Sequence, residues 1–230
     1  MQDHHTAHGR FDNMARRLVM LVVGIELATL GISLTTISQL GTTPISSLPY
    51  VLSKIFPLTF GTTTFILNGL FFLLQWALLW RRFPVANLLQ IPNVLLFSVF
   101  IDINMMFLQD FAPESWFPGL LVSILGNVVL AAGIVLQVRS KTVVQPGEGL
   151  VVALAAVARR PFGTMKIYND ITLVMLSVTL SYLVLGNITG IREGTLLSAF
   201  LVGLFVKIIM QLFPEGGVKV EAEPHEVTSL

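Results

Sequence analysis

The feature that most constrains this chain is a series of apolar runs, each about 20 residues long, the length an α-helix needs to cross a bilayer core. They run from Leu18 to Ile37, Phe60 to Trp80, Pro84 to Leu108, Trp116 to Gln137, Phe162 to Leu185 and Gly194 to Phe213. Hydrocarbon offers the backbone no hydrogen-bond partner, so segments of this kind read as helices that bond internally. Over the whole chain 54% of residues are hydrophobic and 12% charged, against roughly a quarter charged in soluble domains. The sequence therefore predicts an all-α, polytopic membrane protein. Cysteine is absent, which excludes a disulfide, a thiolate metal site and a cysteine nucleophile. The net charge of +1 gives no reason to expect a nucleic-acid partner.

Two stretches between the runs are too polar to span and too broken by Gly and Pro. The first is Gly41-Thr42-Thr43-Pro44-Ile45-Ser46-Ser47-Leu48. Proline suits the first turn of a helix, and Thr43 before it is placed to cap one running to about Phe56. The second is Val143-Val144-Gln145-Pro146-Gly147-Glu148-Gly149-Leu150, followed by an Ala/Val-rich segment ending at Arg159-Arg160-Pro161. A full crossing by either is disfavoured, because each helix is well short of the bilayer core.

A shift of 102 positions carries Pro44 onto Pro146 and aligns the halves without gaps. Gly24 meets Gly126, Gly31-Ile32 meets Gly133-Ile134, and Phe60-Gly61-Thr62 meets Phe162-Gly163-Thr164. Apolar matches are cheap between membrane segments, but Gly and Pro fix backbone geometry. Each half reads as span, broken segment, span, span. Three crossings is an odd number, so the expected architecture is two inverted three-helix repeats, each with a short broken or re-entrant helix after its first span. The boundaries are 1–17 for an N-terminal tail, 18–108 for the first repeat and 109–116 for an external loop. The second repeat takes 117–213, and 214–230 is a C-terminal tail expected to be disordered. Lys and Arg favour one side, which places both termini in the cytoplasm of a plasma-membrane protein.

Paired interrupted segments point to a transport site, and the hydroxyls and amides there are its natural lining. The expected solute-binding residues are Thr42, Thr43, Pro44, Ser46 and Ser47 on one side. Gln145, Pro146 and Glu148 form the other side, with Asn68 and Asp170, equivalent in the repeat, on the wall. Free N–H groups at two helix starts favour anionic groups, whereas Glu148 suits a zwitterion, a cation or a proton-coupled cycle. Glu148 also reads as a first-turn acid complementing the helix dipole. Glu26, near the middle of the first span, reads as a coupling site together with Glu148, or as a neutral acid bonded to a neighbouring helix. Asp102 is expected to pair with Lys207 or lie near the outer surface, Lys166 to reach the interface, and Gly24 and Gly31 to mark close helix contact. His4, His5 and His8 belong to the tail. No GxSxG, HExxH, Walker A or GxGxxG run occurs, so an enzyme is not expected.

The Leu40-Gly41-Thr42-Thr43-Pro44 run, the two Phe-Gly-Thr triplets and Glu193-Gly194-Thr195 through Phe205 resemble the YczE/YyaS/YitT group of small bacterial membrane proteins. That resemblance implies a bacterial inner-membrane protein and little about a substrate. The first half departs from it at Ile91 to Phe97, which lacks the Gly-Thr pair.

The expected function is secondary transport of a small polar organic solute, amino-acid-like or carboxylate. Three alternatives stay open: the substrate-binding subunit of a vitamin-type ATP-driven uptake complex, a non-transporting membrane scaffold or regulator, and a passive channel. The expected partners are the lipid bilayer and a small-molecule solute, with a homo-oligomer allowed. No cofactor and no metal are expected.

Overall fold

The structure, a computed structural model, describes residues 3–213, with side chains from Met14 onward. Its elements are α1 (Asp3–Ile37), α2 (Pro44–Ile55), α3 (Phe60–Leu79), α4 (Gln90–Leu108), α5 (Trp116–Ser140), α6 (Pro146–Ala158), α7 (Phe162–Leu180) and α8 (Glu193–Leu212). Short 3₁₀ turns join α3 to α4 and end α4, and a wide π turn, Ser181–Leu185, ends α7. Among the described residues no strand occurs, and six helices are long and apolar enough to cross a bilayer. The chain is an all-α, multi-pass membrane protein. The expected C-terminal tail lies outside the described residues, as do the side chains of His4, His5 and His8.

The first difference from expectation is at the start. Residues 3–17, expected as a loose tail, continue the helix of the first span. Ala7, Met14, Ala15, Arg16 and Arg17 are good helix formers, and propagation from an existing helix avoids the nucleation penalty.

Proline decides where both short helices begin. Pro44 and Pro146 each sit in the first turn, and Thr43 and Gln145 precede them with extended backbone. Thr43 stands at the cap position, yet its side chain does not cap. Its hydroxyl donates to Ser46 Oγ instead, at 2.9 Å.

The two halves pack through one another. α1 lies along α5 with glycine against glycine. A Cβ placed on Gly31 would lie 2.6 Å from Gly126 O, and one on Gly126 2.9 Å from Gly31 O. Gly133 and Gly24 meet in the same way, at 2.7 and 2.9 Å from each other's carbonyl oxygens. Rising numbers on α1 meet falling numbers on α5, so the two helices are antiparallel. The close helix contact expected of Gly24 and Gly31 is present.

The other pairings respect the same exchange. α1 packs on α4 and α5 on α8; α2 packs on α3 and α7; α6 packs on α7 and α3. Ser47 on α2 reaches Ser177 on α7, and the 102-residue equivalents of these two, Gly149 and Gln75, also touch. One pairing breaks the pattern: α3 packs on α4, but α7 and α8 form no comparable interface.

That break has a local cause. Asp102 of α4 accepts hydrogen bonds from Gly61 N–H and Thr59 Oγ1, both at 2.6 Å, and so caps α3. Gly61 lets α3 close against the Ser98 carbonyl of α4. The second Phe-Gly-Thr has no such partner: Gly163 faces open space, and Leu204 stands where Asp102 would. The expected pairing of Asp102 with Lys207 is not formed, because the carboxylate is already taken by the start of α3.

Candidate solute site

The starts of α2 and α6 meet. A Cβ on Gly147 would lie 2.6 Å from Ile45 Cδ1 and 3.5 Å from the Phe71 ring. Ile45 and Gly147 are each other's equivalents under the 102-residue shift, so this contact is its own image. Along α3, Gly147 lies against Phe71 and Gly149 against Gln75, so α6 runs parallel to α3 from a start level with its middle.

The meeting point itself is apolar. Leu48, Leu67, Phe71, Leu150 and Leu173 form a buried cluster there, with Ile45 packed against it. The expected hydroxyl lining of α2 is turned inward and bonded. Thr42 is fully buried and accepts from Thr36 Oγ1 at 2.9 Å. Thr43 and Ser46 bond each other, and Ser47 bonds Pro44 O and the Ser177 hydroxyl. These serines and threonines satisfy their own turn, as such residues do near helix starts.

The second half is less satisfied. Gln145 donates to Gln137 Oε1 at 3.3 Å, and Gln137 donates to Gly24 O at 3.1 Å. Glu148 is half-buried and within electrostatic reach of Lys166 and Asp170 on α7. Those two form an ion pair at 2.8 Å, both sides half-buried. Asp170, expected on the cavity wall, and Lys166, expected at the interface, hold each other one turn apart. Asn68, the equivalent of Asp170, donates to Thr64 O. Glu26 is half-buried, and its carboxylate has no hydrogen bond or ion pair among the described residues.

Residues outside the expected set include buried amides that lack a partner. The Gln75 side chain is 3% exposed, lies on Gly149 and leaves Oε1 unpartnered. Gln90, 2% exposed, leaves its Oε1 unpartnered, and Asn93, 5% exposed, leaves both amide atoms so. A buried amide without a partner costs about 1–3 kcal/mol, and Asn127 Oδ1 and Asn169 Nδ2 are unpartnered as well. The signal in the sequence was their presence inside apolar spans; what hid them was that residue type alone does not say which face an amide takes.

Between α3 and α4 a groove of about 550 Å³ opens outward, with Asn68, Gln90 and Pro146 among its lining and Phe65, Leu73 and Ile91 along its walls. In the second half the loop between α1 and α2 is tied to the start of α8. There Gly194 N–H bonds Leu40 O at 2.8 Å, Thr42 N–H bonds Gly190 O at 3.0 Å, and Arg192 Nη1 bonds Gln39 O at 3.1 Å. Gly41, at φ 106°, lies so close to Arg192 N that a Cβ would come within 2.7 Å of it. The first half cannot copy this. Pro92 stands for Gly194 and has no N–H to give, and Val143 carries the β-carbon that Gly41 lacks.

A protein family of unknown function, DUF6198, matches residues 15–211, nearly the whole described chain. The chain belongs to DUF6198. No curated protein matches, and no solved structure does. In this DUF6198 chain, the matched range takes in all six spans, both proline-started helices and the groove.

Proposed function

We propose that this DUF6198 protein is a carrier for a small organic solute, built as an inverted repeat with its site where α2 and α6 meet. One observation carries the reading. Two short helices, each opened by proline, bring their starts together in the interior of a six-span bundle, at a contact that the exchange of halves maps onto itself. Helix starts at that depth have unpaired N–H groups, a poor arrangement in lipid and a useful one beside a polar ligand. The antiparallel α1–α5 seam supports inversion of the halves. The proposal includes the cytoplasmic placement of both termini and the relation to the YczE-like group.

Flux of radiolabelled solutes into proteoliposomes, across a panel of amino-acid-like, carboxylate and uncharged compounds, tests the reading. Uptake of one class above empty vesicles is expected; folded protein that moves none of them counts heavily against it. Coupling is the subordinate part. Glu26→Gln should flatten the pH dependence of uptake, and an unchanged profile would remove Glu26 from the mechanism.

The scaffold reading has one observation in its favour, the apolar cluster where the two helices meet. The chain has no native cysteine, so Ile45→Cys gives a clean probe. A carrier predicts that a small water-soluble thiol reagent modifies it from one side and that transported solute slows the reaction. A scaffold packed shut predicts no modification from either side.

A further inference from the structure

Four arginines gather where α3 and α6 finish. α6 runs parallel to α3 and packs on it, with Gly149 against Gln75. From that contact Arg82 lies seven residues along α3 and its closing turn, and Arg159 ten residues along α6. The two helix ends therefore stand about one helical turn apart in height. Arg81 and Arg82 follow Trp80 directly, and Arg159 and Arg160 follow Ala158. All four are exposed, and among the described residues none makes an ion pair or a side-chain hydrogen bond. The nearest carboxylates along α6 and α7 are Glu148, eleven residues before Arg159, and Asp170, ten after Arg160 and already paired with Lys166.

Two observations set this corner apart from a general excess of positive charge. Trp80, at φ 44°, closes α3, and Arg159, at φ 51°, closes α6. Both lie in the left-handed region that glycine enters freely and side chains resist, yet the chain keeps an indole and a guanidinium there. The second observation is aromatic. Trp76 and Trp80 are exposed, with ring centroids 5.4 Å apart. Exposed indoles at the end of a span sit where hydrocarbon gives way to headgroups. The arginines come next along the chain, on the headgroup side. All four cations are arginine, whose planar fork grips phosphate oxygens in pairs, where lysine offers a point charge.

We infer that the ends of α3 and α6 form a site for an anionic phospholipid whose headgroup carries two phosphates, one gripped by each arginine pair. Two helix ends with a pair apiece match two phosphates joined by a short bridge, and basic pockets between helices at the headgroup level hold such lipids. The site goes beyond the carrier reading and stands whether or not a solute is moved.

The test uses the full chain with Trp116→Phe, which leaves Trp76 and Trp80 as the fluorophores. It is reconstituted in phosphatidylcholine vesicles holding a small fraction of cardiolipin with brominated chains. Saturable quenching is expected, stronger than with brominated phosphatidylglycerol at equal total charge. Arg81→Gln with Arg82→Gln, or Arg159→Gln with Arg160→Gln, should raise the half-quenching lipid fraction about tenfold or more. Should either glutamine pair fold poorly, the same pairs changed to lysine keep the charge, lose the fork and should raise it about threefold. Arg16→Gln with Arg17→Gln should change nothing. That pair is equally exposed and sits on α1, which forms no comparable interface with α3 or α6. An equal loss from the α1 pair, or equal quenching by phosphatidylglycerol, would mean surface charge alone. Competition by dissolved glycerol phosphate would mean a site for free phosphate. Quenching seen only after removal of residues 214–230 would mean that the glutamates there hold the arginines. Each of these results would overturn the inference.

Discussion

Gly31→Ala is expected to destabilise the protein by about 3 kcal/mol or more, the upper end of the cost of overpacking. The new methyl would meet the backbone of Leu130 and the carbonyl of Gly126, not the movable end of a side chain. Neither helix can yield without dragging the other, because Gly133 and Gly24 repeat the contact two turns away. The paired controls have the opposite sign. Gly163 and Gly203 meet nothing within 4 Å, so alanine there should be neutral or stabilising by about 0.5–1 kcal/mol through helix propensity. Thermal midpoints in detergent, read by size-exclusion chromatography after heating, would separate the two classes. A Gly31→Ala protein as stable as the parent would mean that the seam is looser than its geometry.

The second large effect is expected at Asp102. Its carboxylate holds Gly61 N–H and Thr59 Oγ1 at the start of α3, where the helix dipole favours a negative group. Asp102→Ala removes both bonds and leaves Gly61 N–H unpaired, which should cost about 2 kcal/mol, discounted for the exposure of Thr59. Asp102→Asn keeps one acceptor and should lose about half as much. Hydrogen exchange should quicken over residues 60–64 in the alanine variant and leave the start of α7 unchanged. Equal quickening at both helix starts would show that the carboxylate acts globally and is no local cap.

Much of this fold could be read from the chain before any coordinates. The apolar runs gave the spans, Pro44 and Pro146 placed the short helices to the residue, and the glycines marked the seam. These signals are local, or depend on one residue type whose backbone demands are strict. What stayed hidden depends on partners distant in sequence. Gly61 and Gly163 look alike in the alignment, yet only the first finds a clasp, because residue 102 is Asp and residue 204 is Leu. The α2 hydroxyls look like a ligand lining until Thr36 and Ser177 are seen to satisfy them. Gln75 and Gln90 passed as polar residues in spans, since face and depth decide whether an amide is idle. The missing Gly-Thr at Ile91 to Phe97, a departure from the resembled pattern, puts Pro92 where the other half has Gly194, and so removes the N–H that Gly194 gives to Leu40 O.

The unequal wiring of the two halves bears on energetics. A perfectly matched pair related by rotation would possess two mirror arrangements of identical free energy, and neither side of the membrane would be preferred at rest. Here the Leu40–Gly194 bond and the Asp102 clasp have no images. In the proposed carrier, at about 1 kcal/mol for a neutral bond and more for one to a charged group, such contacts would lift that degeneracy and make the swapped arrangement a minor population. Such a bias would be intrinsic to the polypeptide and would need no gradient to maintain it.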